Sequence, residues 1–341
     1  MGVQLRDLVH AEEVPLEALR GRKLALDAYN MLYQFLATIR QPGGEPFTDA
    51  QGAITSHLVG LLYRTASLLQ NGVLPAYVFD GKPSGLKAAT LRARALAKEK
   101  AQEKWAEALA RGDLALARKR AAGTSRLTPE MAEDARTLLT LLGVPTVQAP
   151  SEGEAQAAYM AKRGDVWAAA SEDYDTLLFG VPRYVRGLGA LRGGGREGGT
   201  TVRLLEGPRT LTELGVTQEE LILIGILIGT DFNEGVPGIG PKKALKLVRE
   251  HLGWEATLKK AGLDPEAVEP VRALFLDPPR TEAYELLWRR PDLDGLRSFL
   301  VSRHGFEPGR IDRVLRRLPD EAPRSVTGTQ MTLQEFESSA S

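Results

Sequence analysis

The sequence predicts an α/β fold, with a parallel-rich central sheet flanked by helices. Three observations carry that expectation. Short apolar runs alternate with longer stretches of helical pattern, which is how strand–helix–strand units read. The runs lead into acidic residues, and a parallel sheet gathers the C-terminal ends of its strands along one edge, where ligands bind. After Gln218 the pattern becomes helical throughout.

The first run is Lys23-Leu24-Ala25-Leu26 and the second Ala76-Tyr77-Val78-Phe79. Pro145-Thr146-Val147 is the third, and Val166 to Ala170 the fourth. Each is strand-length, and the fourth reads as buried. Helix-like stretches lie between them, at Ile54 to Gln70, Pro129 to Leu142 and Glu154 to Lys162. Residues 187–199 read GLGALRGGGREGG, a flexible loop expected to connect a hairpin. From about Pro319 the tail is rich in Pro, Ser and Thr and weakly apolar, the composition of a disordered segment. No internal repeat is present.

The 341 residues suit one large domain or two smaller ones with a sizeable core. Hydrophobic content of 43% and charged content of 26% are ordinary for a soluble globular chain. There is no cysteine, which excludes disulfides, zinc–thiolate sites and thiol nucleophiles and fits a reducing compartment. The N-terminus MGVQLRDLVH has no signal-peptide core, and Arg6 breaks the myristoylation pattern. The longest apolar run, Leu221 to Ile228, is too short to span a bilayer. The cytosol is the expected location.

Net charge is zero, so attraction to an anionic partner must come from uneven placement. One segment supplies it. From Lys82 to Arg126 there are twelve Lys or Arg against four Asp or Glu, in an Ala-rich, helix-favouring sequence. Such a run is either a solvated helix face or a phosphate-binding surface. One basic segment in a neutral chain favours the second.

The carboxylates set the chemistry. LALD ends in Asp27, AYVFD ends in Asp80, PTVQAPSEGE leads to Glu152 and Glu154, and WAAASEDYD leads to Asp173 and Asp175. Asp231 follows the apolar run LILIGILIGT and could join them. Ser151 and Glu154 also fit a capping box, and Ser171 fits an N-cap. Capping does not account for Asp27 and Asp80 directly after apolar strands, whereas a shared cation accounts for all seven. With four His and no Cys, an all-oxygen site suits Mg²⁺ or Mn²⁺ rather than zinc. Seven carboxylates exceed the needs of one ion, so two are expected, the arrangement that supports in-line attack on a phosphodiester.

Beyond Asp231 comes FNEGVPGIGPKKALKLV. Glycines at Gly238 and Gly240 let the backbone approach a phosphate, whose charge is met by amide N–H groups and the next helix N-terminus. With Lys242 and Lys243 following, the stretch reads as a helix–hairpin–helix that grips a DNA backbone without reading sequence.

At this point the chain resembles the structure-specific 5′ nucleases (the XPG-like family), and most of all the archaeal-type flap endonucleases. The motifs are Asp27-Ala-Tyr-Asn, Val78-Phe-Asp-Gly-Lys-Pro, Ser151-Glu-Gly-Glu-Ala, Ser171-Glu-Asp-Tyr-Asp and Gly229-Thr-Asp with its Gly-Ile-Gly hairpin. Five motifs in order cover nearly the whole chain and are highly specific together.

The resemblance implies a PIN-like core with a two-metal site of Asp27, Asp80, Glu152, Glu154, Asp173, Asp175 and Asp231. It implies Mg²⁺ with Mn²⁺ as substitute, and K⁺ at the hairpin. It makes residues 82–126 a helical arch for a single-stranded 5′ flap, with Lys87 and Arg94 beside the scissile phosphate and on one helix face. Further DNA contacts are implied at Gly2, Tyr33, Arg40, Arg64, Gly238, Gly240, Lys242 and Lys243. Tyr33 would stack on a base, although a core tyrosine is the plainer reading. Residues 1–318 would be one nuclease domain: 1–81 and 127–232 as the core, 82–126 as the arch and 233–318 as the hairpin region.

The implied activity is 5′ flap endonuclease with 5′–3′ exonuclease, in replication and repair. The implied partners are branched DNA and a sliding clamp of the PCNA type, the protein acting as a monomer and reaching the nucleoid through DNA. Gln330, Leu333 and Phe336 in the tail 319–341 resemble the clamp-binding box, but Glu337 stands where a second aromatic is usual. A charge cannot enter an apolar pocket without a desolvation cost, so the expected clamp affinity is weak. The alternatives are a related exonuclease or repair nuclease of similar core, and a DNA-binding scaffold without chemistry. The full carboxylate set speaks against the scaffold, because negative charge beside DNA only weakens a pure binder.

Overall fold

The computed structural model describes residues 3–189, 201–250 and 252–321. Its strands in chain order are β1 (Glu12–Pro15), β2 (Lys23–Asp27), β3 (Leu74–Phe79), β4 (Thr146–Gln148), β5 (Ala168–Ala170), β6 (Arg183–Arg186) and β7 (Thr201–Glu206). They form one seven-stranded sheet in the order β1-β7-β6-β5-β2-β3-β4. The stretch from β6 to β4 is parallel throughout. β7 runs antiparallel to both β6 and β1. The four runs read from sequence are therefore β2 to β5, all parallel as expected.

Parallel strands are buried on both faces, which is why they read as continuous apolar runs. Side chains alternate between two cores. Leu24, Leu26, Tyr77 and Phe79 enter one, while Ala25, Val78 and Val147 enter the other. Helices α1 (Ala28–Thr38), α2 (Ser56–Gln70) and α5 (Pro129–Leu141) contribute to the first core. Helices α6 (Gly153–Arg163), α7 (Asp175–Leu178) and α9 (Gln218–Ile228) contribute to the second.

Between β3 and β4 the basic segment forms α3 (Ala88–Ala110) and α4 (Leu114–Ala121). The chain reverses between them at Gly112, whose φ of 68° only glycine adopts readily. The limbs pack closely: a Cβ added at Gly123 would lie 3.1 Å from that of Ala101. After β7 come α8 (Gly207–Leu214) and α9, then α10 (Pro241–Val248), α11 (Trp254–Ala261), α12 (Pro265–Leu276), α13 (Leu293–Arg297) and α14 (Pro308–Leu315). The glycine-rich connection does join an antiparallel pair, with Arg186 opposite Arg203, although residues 190–200 lie outside the described residues. No helix among the described residues is long and apolar enough to cross a membrane.

The structure corrects one expectation. The chain is not helical throughout after Gln218: residues 278–292 form neither helix nor strand. They run as a strap past the N-terminal ends of the parallel strands. The Thr281 amide donates to Gln156 Oε1 at 2.8 Å, and the Tyr284 hydroxyl to Asp165 at 2.6 Å. The Trp288 indole donates to the Pro75 carbonyl at 2.7 Å, and the Arg289 amide to the Gly143 carbonyl at 2.8 Å. Those tertiary bonds outweigh the local helix preference of EAYELLWRR.

Trp288 is the strap's anchor, buried against Leu74 and Ala76. Trp288→Ala is expected to destabilise the fold by about 3–5 kcal/mol, and Trp288→Phe, which loses mainly the hydrogen bond, by about 1 kcal/mol. Denaturant melts would measure both. Equal losses would mean that packing contributes little there.

Candidate active site

The order of the sheet dictates where the acidic residues meet. β2 leads outward to β3 and β4, whereas β5 leads the other way to β6, so the order reverses between β2 and β5. Ligands bind at the strand C-termini beside such a reversal. Asp27 ends β2, Asp80 follows β3, Glu152 and Glu154 open α6 after β4, and Asp173 and Asp175 follow β5. Asp231, just beyond α9, faces the same group: Lys87 Nζ is hydrogen-bonded to Glu152 and lies 3.8 Å from Asp231.

Local structure aims each carboxylate. Asp27 Oδ1 accepts the Asn30 amide at 3.0 Å, so this residue caps α1 as well as ending β2, although capping alone does not account for it from the sequence. Asp80 Oδ1 accepts the Gly153 amide at 2.6 Å. An added Cβ at residue 153 would lie 2.7 Å from that oxygen, so the approach depends on glycine. Asp175 Oδ1 accepts the Val3 amide at 2.7 Å. Gly2 lies outside the described residues, but its neighbour thus reaches the site. Neither of the two capping alternatives is realised. Glu152, not Ser151, is the N-cap of α6, and Glu154 accepts the Ser171 hydroxyl at 2.7 Å. Ser171 Oγ accepts the Asp173 amide within a turn and caps no helix.

So many buried carboxylates leave negative charge poorly compensated. Burial first, then Asp80, pushes the Asp27 carboxyl up to about 8. Burial first, then Asp173, pushes Asp175 to about 8. Asp80 rises to about 6 through burial, with Glu152 adding to it. Glu154 is held well above the carboxylate range by burial and by Asp173, Asp27 and Asp175. A carboxylate set of this kind suits a hard divalent cation bound through oxygen. Among the described residues, no three acidic or imidazole groups already stand at ligating geometry; two carboxylates face protein cations instead.

Those cations come from the arch. Lys87 bonds Glu152, and Arg94 donates to both oxygens of Asp231 at 2.5 and 2.6 Å. Burial alone would lower the Lys87 ammonium; Glu152, Asp231 and Asp80 carry it upward. Three further contacts fall on α3. Thr90 donates to the Asp231 carbonyl at 2.7 Å. Lys98 stands 4.7 Å above the Tyr33 ring, and the Trp105 indole meets the Gly43 carbonyl at 3.5 Å. Spacings of three, four, four and seven residues keep all five on one helix face, which lies across the mouth of the site. Thr90, Lys98 and Trp105 were not singled out from sequence, although their spacing from Lys87 and Arg94 was the available signal.

The other expected DNA contacts divide. Tyr33 is 37% exposed, which sets aside the plainer reading of a core tyrosine. Gly238 has φ of 77°, Gly240 caps α10, and Lys242 and Lys243 are exposed in its first turn. Arg40 spends its guanidinium on the Leu36 and Gly44 carbonyls, Thr124 and Ser125, bracing the end of α1 against the foot of the arch. Arg64 is 3% exposed and lies near Tyr77 and Glu172. Gln330, Leu333, Phe336 and Glu337 lie outside the described residues.

The raised carboxyls give a pH prediction. Without divalent cation, the folded protein holds protons that the unfolded chain has released. Stability from Asp27, Asp80 and Asp175 is therefore full below their ordinary value of 3.8 and lost as pH rises through about 6 to about 8. A bound cation needs the deprotonated forms. The rise in melting temperature on adding Mg²⁺ is expected to be larger at pH 8.5 than at pH 5.5. Calorimetry with EDTA as reference would check it, and an equal rise would mean the carboxyls are already ionised.

Two family models match the chain, the XPG N-terminal domain over residues 1–101 and the XPG I-region over residues 143–231. Flap endonuclease 1 of Aeropyrum pernix is 46% identical, covering 98% of this chain and 99% of its own. That of Thermococcus onnurineus is also 46% identical, with the same coverage. Among solved structures, flap endonuclease-1 from Methanococcus jannaschii superposes with a TM-score of 0.75 at 42% identity, over 93% of this chain and 98% of that one. The catalytic core of Rad2 in complex with DNA substrate superposes at 0.71 with 25% identity, over 94% and 100%.

Proposed function

Because the chain belongs to the flap endonuclease family of structure-specific 5′ nucleases, we propose that its seven clustered carboxylates hold two Mg²⁺ ions for cutting at the base of a 5′ flap. The protein is a nuclease, a hydrolase of DNA phosphodiesters that cuts 5′ flaps in replication and repair. The observation supporting the metal assignment is the convergence of Asp27, Asp80, Glu152, Glu154, Asp173, Asp175 and Asp231 at one sheet edge, most of them buried and three pushed to about 6–8. Paired ions supply an activated water and neutralise charge on the attacking and leaving oxygens. Mn²⁺ fits the same donors.

The chain's own residues do the rest. Lys87 and Arg94 turn from Glu152 and Asp231 to the scissile phosphate, where charge develops as the bond breaks. Tyr33 exchanges Lys98 for the base beside the cut. The hairpin amides around Gly238, with Lys242 and Lys243, hold the downstream duplex, where a K⁺ would add positive charge toward the phosphates. The same site trims 5′ ends exonucleolytically. Incubation with labelled double-flap DNA, with and without Mg²⁺, tests the assignment: flap release without a divalent cation would overturn it.

Clamp binding through the tail is part of the proposal. Glu337 in place of an apolar side chain forgoes about 1.5–3 kcal/mol, roughly one to two powers of ten in affinity. Calorimetry with the cognate clamp is expected to show weak binding. Deleting residues 330–337 should abolish it, and Glu337→Phe should tighten it. Unchanged affinity after the deletion would exclude the tail.

A further inference from the structure

The turn carrying Asp173 has its polar groups tied off by side chains from elsewhere in the site. The Glu172 amide donates to Asn30 Oδ1 at 3.3 Å, and the Glu172 carbonyl accepts from Arg186 at 2.5 Å. The Asp173 amide donates to Ser171 Oγ at 3.1 Å, and the Asp173 carbonyl accepts the Tyr184 hydroxyl at 2.6 Å. Thr176 adds a bond to that carbonyl at 3.1 Å. The backbone groups of two consecutive residues are therefore held by five side chains, in a segment with no strand ladder to hold it.

Ser171 differs from the others because it joins the Glu154 carboxylate to the backbone of Asp173. Its oxygen receives the Asp173 amide, so its single proton is directed at Glu154 Oε1, 2.7 Å away. Glu154 belongs to α6 and Asp173 to the turn after β5, and they repel each other. Ser171 is buried at 6% exposure, so no solvent takes over either bond. With alanine there, a buried amide would lose its acceptor and Glu154 its donor, and repulsion would be free to part the two acids.

We propose that Ser171 is a positioning residue that fixes Glu154 and Asp173 at the spacing a divalent cation requires, with Tyr184 locking the same turn from the carbonyl side. This rests on the reading that these carboxylates bind the cation. Outer hydrogen bonds to metal-ligating carboxylates are typically worth 10–100-fold in metal affinity or activity. The buried hydroxyl makes both its bonds to the protein, at Glu154 and the Asp173 amide. Its loss should therefore appear in cation affinity and not in the limiting rate.

The test is Mg²⁺ titration of the DNA-free protein by calorimetry, paired with single-turnover cleavage across Mg²⁺ concentrations. Ser171→Ala should weaken Mg²⁺ binding about 10–100-fold, shift the half-saturating Mg²⁺ for cleavage equally, and leave the rate at saturating Mg²⁺ within about threefold. Ser171→Thr, which keeps the hydroxyl, should restore affinity. DNA affinity measured in EDTA should match wild type, which also shows that the variant folds. Should Ser171→Ala not fold, Tyr184→Phe carries the test, with a smaller loss in the same direction. Mg²⁺ affinity within about twofold of wild type in the alanine variant, or a lost limiting rate with affinity intact, overturns the proposal. Wild-type protein that binds no Mg²⁺ would instead overturn the metal assignment, and the proposal with it.

Discussion

Asp173→Ala is expected to lower the single-turnover rate of flap cleavage by about a thousandfold or more, while DNA affinity stays within a few-fold of wild type. The side chain sits on a turn held by Ser171 and Tyr184 at the end of β5, beside the reversal in strand order. Losing a ligand that stabilises several kcal/mol of transition-state charge removes a factor of ten for each 1.36 kcal/mol. Binding is spared because a carboxylate makes no attractive phosphate contact, and deleting it can even tighten binding by relieving repulsion. Asp173→Asn keeps the shape and should be nearly as inactive. Quench-flow rates with fluorescence anisotropy would decide. Cleavage within tenfold of wild type would remove Asp173 from the metal site.

The second large effect is expected at the arch. Lys87→Ala and Arg94→Ala should each slow single-turnover cleavage about 100–1000-fold, the range for losing a donor aimed at developing charge. Affinity for the duplex arms should change little. The free protein adds a second signature. Lys87 compensates Glu152, and Arg94 compensates Asp231, whose side chain is only 8% exposed. Each substitution leaves a mostly buried carboxylate without a cation, which destabilises the metal-free protein, and added Mg²⁺ should offset that loss. Lys242→Ala and Lys243→Ala should behave oppositely, weakening binding and reducing its salt slope by about one each. Unchanged rates with lost duplex affinity in the arch variants would make the arch a docking surface only.

The legible parts of this molecule were those set by local pattern. Leu24 and Leu26 alternate with Ala25 between two cores, and the apolar content needed for that is visible in KLALD. A carboxylate at or shortly after the end of each of β2 to β5 is likewise a local feature. What escaped was set by partners remote in sequence. Asn30 and Glu172 stand 142 residues apart, and Val3 and Asp175 stand 172 apart. Ser171 read as a cap because hydroxyls before acidic residues usually are caps; its partner Glu154 belongs to another element. The strap failed for the same reason. EAYELLWRR has helical propensity, and bonds to remote groups, among them Asp165 and the carbonyls of Pro75 and Gly143, explain why it forms no helix. Arg64 came only from the family resemblance, and its burial follows from the packing of α2 against the sheet, which no local pattern around it reveals.

The face of α3 that lies over the site carries a thermodynamic consequence. Lys87 and Arg94 cannot serve a carboxylate and a phosphate at once. A cation that takes over Glu152 and Asp231 frees both side chains for the flap, and a flap that draws them away leaves both acids ready for the cation. On the proposed metal site the two ligands are therefore expected to be cooperative, and the cooperativity to be reciprocal. Whatever factor saturating Mg²⁺ adds to flap affinity, a bound flap must add to Mg²⁺ affinity. A duplex without a flap, held at the hairpin, should leave Mg²⁺ affinity nearly as it was. On that proposal the arch would make cation occupancy report on substrate shape.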